Sequence, residues 1–138
     1  MDPQAQYQIF QLKKDSKHEE RLFWGTEQMI NLGFIKGTED ILPEDYECLY
    51  TGDPADIYPE WDRNVDKFLE EVYAKFNLDR PEDFKGHSLS VGDIITITED
   101  SVTVAEFVDS TGFTLLPEFA VAMMEEEERQ SADSGREI

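Results

Sequence analysis

A chain of 138 residues with 32 acidic and 12 basic side chains, formal net charge −20, has material for one domain with a modest core. Its 39% apolar content, with nine Phe, five Tyr and two Trp, is too rich in anchors for a disordered chain. The carboxylate surplus disfavours direct binding to nucleic-acid phosphates. No run of about 18 apolar residues could span a membrane. Met1-Asp2-Pro3-Gln4 opens no signal peptide and the lone Cys48 fits a reducing compartment, so a cytoplasmic location is expected.

In chain order, Tyr7 to Leu12 is rich in strand formers and reads as the first strand. The next stretch has two readings. Ser16 and Glu19 have capping-box spacing, which would start a helix at Lys17. The preferred reading keeps Arg21 to Trp24 extended and starts a short helix at Thr26, ended by Gly33. Tyr46 to Tyr50 reads as a second strand, closed by the turn residues Thr51-Gly52-Asp53-Pro54. Trp61, Val65, Phe68, Leu69, Val72, Tyr73 and Phe76 follow helical spacing, with Pro59 suited to the first turn and Pro81 barring continuation. Asp93 to Thr98 and Ser101 to Val108 predict a hairpin around Glu99-Asp100. Phe113 to Leu116 adds a short strand, and Pro117 opens a last helix through Phe119, Ala120, Met123 and Met124. The expected fold is α+β: a small mixed or antiparallel sheet of about four to six strands packed against one long amphipathic helix. Residues 1–124 form the domain, and 125–138 are an acidic tail whose composition reads as disordered.

The charge is unevenly placed. Residues 37–83 hold 15 acids and 4 bases, a net of −11, whereas the glutamate-rich 125–138 contribute only −4. This asymmetry predicts one strongly negative face. On the long helix Asp62, Asp66 and Glu70 form an i, i+4, i+8 column, where each like-charged pair costs about 0.2–0.5 kcal/mol. An ordinary solvated helix face, helped at its start by the helix dipole, is the favoured account of that column. Glu39, Asp40, Glu44 and Asp45, and Asp53, Asp56 and Glu60, cluster in loops, where solubility is the competing explanation.

Signs of catalysis are weak. His18 and His87 are not spaced with Cys48 as a zinc site, and no P-loop, GxSxG, HExxH or dinucleotide-binding glycine pattern is present. No metal or cofactor is expected, and the chain is read as a non-enzyme. The segment Phe84-Lys85-Gly86-His87-Ser88-Leu89-Ser90-Val91-Gly92-Asp93 is the most distinctive. Its glycines, serines and Asp93 suit a structural turn, and that reading is favoured over a polar contact cluster made by Lys85, His87 and Ser88.

Five stretches resemble, in order, the YodL-like domain family. They are Tyr7 to Leu12, Asp45 to Gly52, Ile57 into Val72-Tyr73-Ala74-Lys75-Phe76-Asn77, Arg80 to Asp93, and Phe107-Val108-Asp109-Ser110-Thr111-Gly112-Phe113. The resemblance spans roughly residues 6–119, and its most specific part is Arg80 to Asp93. The chain departs from the family at Leu22-Phe23-Trp24-Gly25-Thr26, where members tend to carry Arg-Phe and a tyrosine-led helix. The resemblance implies no catalytic residues. It implies the company of conjugative elements and phages, whose small accessory proteins often disarm host nucleases.

Two functions follow as expectations. In the first, the carboxylates occupy a basic nucleic-acid-binding surface of a host nuclease, as an anti-CRISPR or antirestriction inhibitor would. In the second, a targeting or scaffolding module binds its protein partner through apolar surface, with Trp24 and Trp61 as anchors and charge serving solubility.

Overall fold

A computed structural model describes residues 5–13, 24–59, 62, 64–78, 82–84, 86, 89–110 and 112–136, with 127–136 described by backbone alone. Five strands, β1 (Gln6–Leu12), β2 (Tyr46–Gly52), β3 (Ile94–Glu99), β4 (Val102–Asp109) and β5 (Gly112–Leu115), form one sheet in the order β2-β1-β3-β4-β5. Every neighbouring pair is antiparallel. Among the described residues three helices, α1 (Thr26–Asn31), α2 (Val65–Leu78) and α3 (Pro117–Arg136), complete the α+β fold with short 3-10 turns at 38–40, 43–45 and 54–56.

The first strand lies inside the sheet, between β2 and β3. Side chains alternate across a strand, so β1 feeds both faces. Tyr7 and Ile9 join one core cluster, with Phe68, Leu69, Val72 and Phe76 of α2. Phe10 and Leu12 join the other, with Met29 of α1 and Phe119 and Ala120 of α3. The sheet is thus covered on both sides rather than by one long helix. This explains the unbroken burial of Ile94, Ile95, Thr96 and Ile97, because a strand with two covered faces has no solvent side. Ile94 packs with the α1/α3 cluster, and Ile95 and Ile97 with the α2 cluster.

The hairpin expected between the third and fourth strands is present. Glu99 pairs with Val102, leaving Asp100 and Ser101 as a two-residue turn with φ of 55° and 68°. Successive positive φ values match the right-handed twist of the flanking strands. The short helix of the preferred reading is present: α1 begins at Thr26, and Gly33 follows at φ 82°, whereas Arg21 to Phe23, expected to be extended, lie outside the described residues. The start proposed at Lys17 lies outside the described residues.

Two expectations need correction. The helix inferred from Trp61 onward begins only at Val65. Asn64 starts it, its carbonyl accepting from Phe68 N–H at 3.0 Å and its Oδ1 from Lys67 N–H at 3.1 Å. Just before it, Asp62 Oδ1 accepts from Asn64 N–H at 3.1 Å, a local turn that competes with helix. Pro59 is therefore not in the first turn. At the other end, α3 runs to Arg136, past Glu125, where the sequence reading turned to disorder.

Candidate partner-binding surface

Two aspartates at strand ends hold the loops on which any surface is built. Asp93, next to the start of β3, is buried, and its Oδ2 accepts from Ser90 N–H at 2.8 Å and Gln11 Nε2 at 3.1 Å. Burial pushes its carboxyl up to about 8 against the pull of those two bonds, so near neutrality it is largely protonated. Gly86 passes so close to Gln11 and Leu49 that a Cβ there would strike both side chains. The described part of the 84–93 segment is therefore a structural lock around a buried polar pair, as its turn chemistry suggested.

Asp109, at the end of β4, is the second lock. It accepts from Thr26 N–H at 3.0 Å, Thr26 Oγ1 and Thr114 Oγ1 both at 2.6 Å, and Ser110 N–H at 2.9 Å. Its partial burial would raise the carboxyl, but these bonds outweigh it and hold the group below the usual range. One side chain thus ties α1 to the β4–β5 hairpin. Gly25 allows the approach, since a Cβ there would collide with Ser110 Oγ and Asp109 Oδ1. A third polar contact lies under α2. Tyr7 is fully buried and shares a hydroxyl hydrogen bond with Tyr50, and burial, reinforced by Tyr50, Asp56 and Asp83, raises its phenol far above the usual value.

Beside α2 the sheet is less covered. A cleft of about 330 Å³ opens between Glu70 and Tyr73 of α2 and Val108, Asp109, Gly112 and Phe113 of the last hairpin, with Val91 and Ser110 completing it. Glu106 and Leu115 face each other across β4 and β5 on the same side of the sheet as the Val108–Phe113 pair. Glu106 is half-buried, and that burial, then the charge of Asp66, raises its carboxyl. Among the described residues no hydrogen-bond donor or cation meets Glu106, Asp66 or Glu70.

The chain matches the YodL-like domain over residues 6–119. It belongs to that family. No curated protein and no solved structure matches it.

Within this YodL-like domain the acidic candidates do not make one face. Glu39, Asp40, Glu44 and Asp45 sit in 3-10 turns that contact α3, and Thr38 Oγ1 donates to Glu118 of that helix at 3.2 Å. Asp53, Asp56, Asp66 and Glu70 belong to the α2 side, whose cluster takes in Ile57, Tyr58 and Val65. Several have local duties. Asp40 Oδ2 accepts from Lys36 N–H at 2.7 Å, and Asp53 Oδ1 caps its turn by accepting from Ala55 N–H at 2.9 Å. Asp62 accepts from Tyr58 Oη at 3.3 Å and precedes α2, so the expected helical column reduces to Asp66 and Glu70. Trp24 packs on the α1/α3 core and against Phe34, ring centroids 5.2 Å apart, which makes it partly structural. Glu60, Trp61, Lys85, His87 and Ser88 lie outside the described residues.

Glu106 was missed by the sequence reading. Its one signal was a lone acid in the β-branched run Val102-Thr103-Val104-Ala105-Glu106-Phe107-Val108, a position that strand alternation alone makes half-covered. Among the described residues no group of three His, Cys, Asp or Glu side chains is placed to hold a metal ion. No helix among them is long and apolar enough to cross a membrane.

Proposed function

We propose that this YodL-like domain is a non-catalytic protein-binding accessory factor of a mobile genetic element, acting as an acidic anti-defence inhibitor. Its carboxylates would occupy a basic surface where a host nuclease holds nucleic acid. The observation that carries the reading is Glu106, half-buried and pressed by the like charge of Asp66 with no described counter-cation. Such an arrangement costs folding energy in the free protein and is relieved when a partner supplies positive charge. The overall charge of −20 adds long-range attraction to any basic channel.

Affinity capture from a host lysate at low and moderate salt tests this. A basic nucleic-acid enzyme retained at low salt and lost at moderate salt is the expected result. Retention should also fail for the Asp66→Lys/Glu70→Lys variant. A salt-resistant partner that binds no nucleic acid, equally held by that variant, would refute it.

A second reading has its own observation. Ile30, Leu32 and Phe34, at the end of α1, are 44%, 61% and 39% exposed, and Phe34 packs against Trp24. A scaffolding module would dock through this apolar group, and Leu32→Ser would then abolish capture while the charge reversals left it intact.

A further inference from the structure

The strand β5 is an edge of the sheet, paired on one side with β4 and on the other with no described strand. Leu116 N–H donates to the Ala105 carbonyl at 2.8 Å, which fixes the alternation of the ladder. Thr114 opposite Phe107 and Gly112 opposite Asp109 are hydrogen-bonded pairs, whereas Phe113 and Leu115 sit at the alternate positions. The N–H and C=O of Phe113 and Leu115 therefore point away from β4, and among the described residues they meet no partner. Their side chains lie on the α2 side of the sheet, where Phe113 lines the cleft with Tyr73, itself 40% exposed, and Leu115 is 54% exposed. This edge thus combines unpaired backbone groups with an apolar cleft that has Glu70 in its lining, and with Glu106 opposite Leu115 and within the field of Asp66, none of the three with a described cation.

Building on the protein-binding reading, we infer that β5 is the docking edge, and that its occupant is an extended segment of a partner protein carrying arginine or lysine. The segment adds as a sixth strand, exchanging backbone hydrogen bonds with Phe113 and Leu115. A strand added here lies about 4.8 Å from β5. The aliphatic stem of a long basic side chain then lies across Phe113 and Leu115, and its head reaches toward Asp66, Glu70 and Glu106. The charge selects the occupant. An acidic or neutral strand would leave Glu106 and Asp66 as uncompensated as they are in the free chain, and a basic one neutralises them.

The probe is a capped hexapeptide of alternating arginine and valine, titrated into the full chain at low salt and followed by amide NMR. A control peptide has the same side chains with every peptide nitrogen methylated, so it keeps the charge and cannot extend a sheet. The expected result is saturable binding that shifts the Phe113 and Leu115 amides and slows their hydrogen exchange. Binding should weaken about tenfold for the methylated peptide. Glu106→Gln, folded by circular dichroism, should weaken the unmethylated peptide about threefold. Equal binding of both peptides, or shifts confined to residues 36–45 or 53–58, overturns the edge-strand site and leaves the acidic protein-binding reading standing. Absence of binding by either peptide at low salt overturns both.

Discussion

Replacing Asp93 with asparagine makes the sharpest test of how the distinctive 84–93 segment works. An unfolded aspartate titrates near 3.8, and burial holds the folded group at about 8. Below pH 3.8 both states are protonated and the group has no effect on stability. Between those two values the unfolded chain is ionised and the folded one is not, so rising pH favours unfolding. The slope approaches about 1.4 kcal/mol per pH unit, and above pH 8 the penalty is constant. Over the whole interval the ceiling is about 6 kcal/mol, a large share of the stability of a domain this size. Asparagine keeps an acceptor for Ser90 N–H and Gln11 Nε2 and cannot ionise. The Asp93→Asn variant should therefore match the parent within about 1 kcal/mol at pH 4.5 and exceed it by about 2 kcal/mol or more at pH 8. Urea denaturation followed by tryptophan fluorescence at half-unit steps gives both curves. Repulsion among the other carboxylates also lowers stability as pH rises, but it acts on both proteins and cancels in the difference. Parallel curves would mean that Asp93 is ionised inside the fold at neutral pH, and the burial argument would fail.

Asp109→Ala should cost about 2–3 kcal/mol, since it strips acceptors from Thr26 and Thr114 at once, and thermal melts would register the loss. Because its folded pKa is depressed, the stability Asp109 contributes is present above about pH 4 and disappears as pH falls through the folded value, so the variant should lose its deficit in acid. Thr96 carries a fully buried hydroxyl with no hydrogen-bond partner among the described residues, so Thr96→Val, of the same shape, should stabilise by about 1 kcal/mol in urea titrations. A loss instead would show that the hydroxyl finds a partner in solution. Ser101 stands at φ 68°, and Ser101→Gly should raise the melting temperature by a few degrees, about 0.5–1 kcal/mol, unless the left-handed turn is absent in solution.

All five strands were legible, since each is a compact run of β-branched or aromatic residues bounded by turn chemistry. The order of those strands was not. Nothing local in Tyr7 to Leu12 says that it will lie in mid-sheet, and the non-alternating Ile94-Ile95-Thr96-Ile97 was the one mark of a sheet covered on both sides. The start of α2 went wrong because apolar spacing continues through Trp61, while Asp62 and Asn64 settle the boundary by side-chain bonds to nearby backbone. The charge was legible as a sum and misread as a face: distance along the chain places residues 39–45 near 53–70, and the sheet then passes between them. Asp93 was recognised as a loop-closing residue, but its partner Gln11 is 82 positions away and no spacing rule reaches that far. Glu106 was passed over because acids were so abundant that only burial sets this one apart.

The placement of β1 between β2 and β3 also orders events during synthesis. Its first neighbour, β2, ends at Gly52, so a two-stranded ribbon is available early, with one side of β1 still unpaired. The other neighbour is complete only at Glu99, and β4 and β5 must follow before the second half of the sheet exists. Until then Tyr7, Ile9 and Phe10 have no β3 to pack beside, and the nascent chain carries an apolar, unpaired strand through the making of α2. Contacts this distant in sequence slow closure, because the entropy of a long loop is lost before the pairing rewards it. The carboxylate surplus of residues 37–83 adds like-charge repulsion between any such incompletely paired chains, which opposes their association.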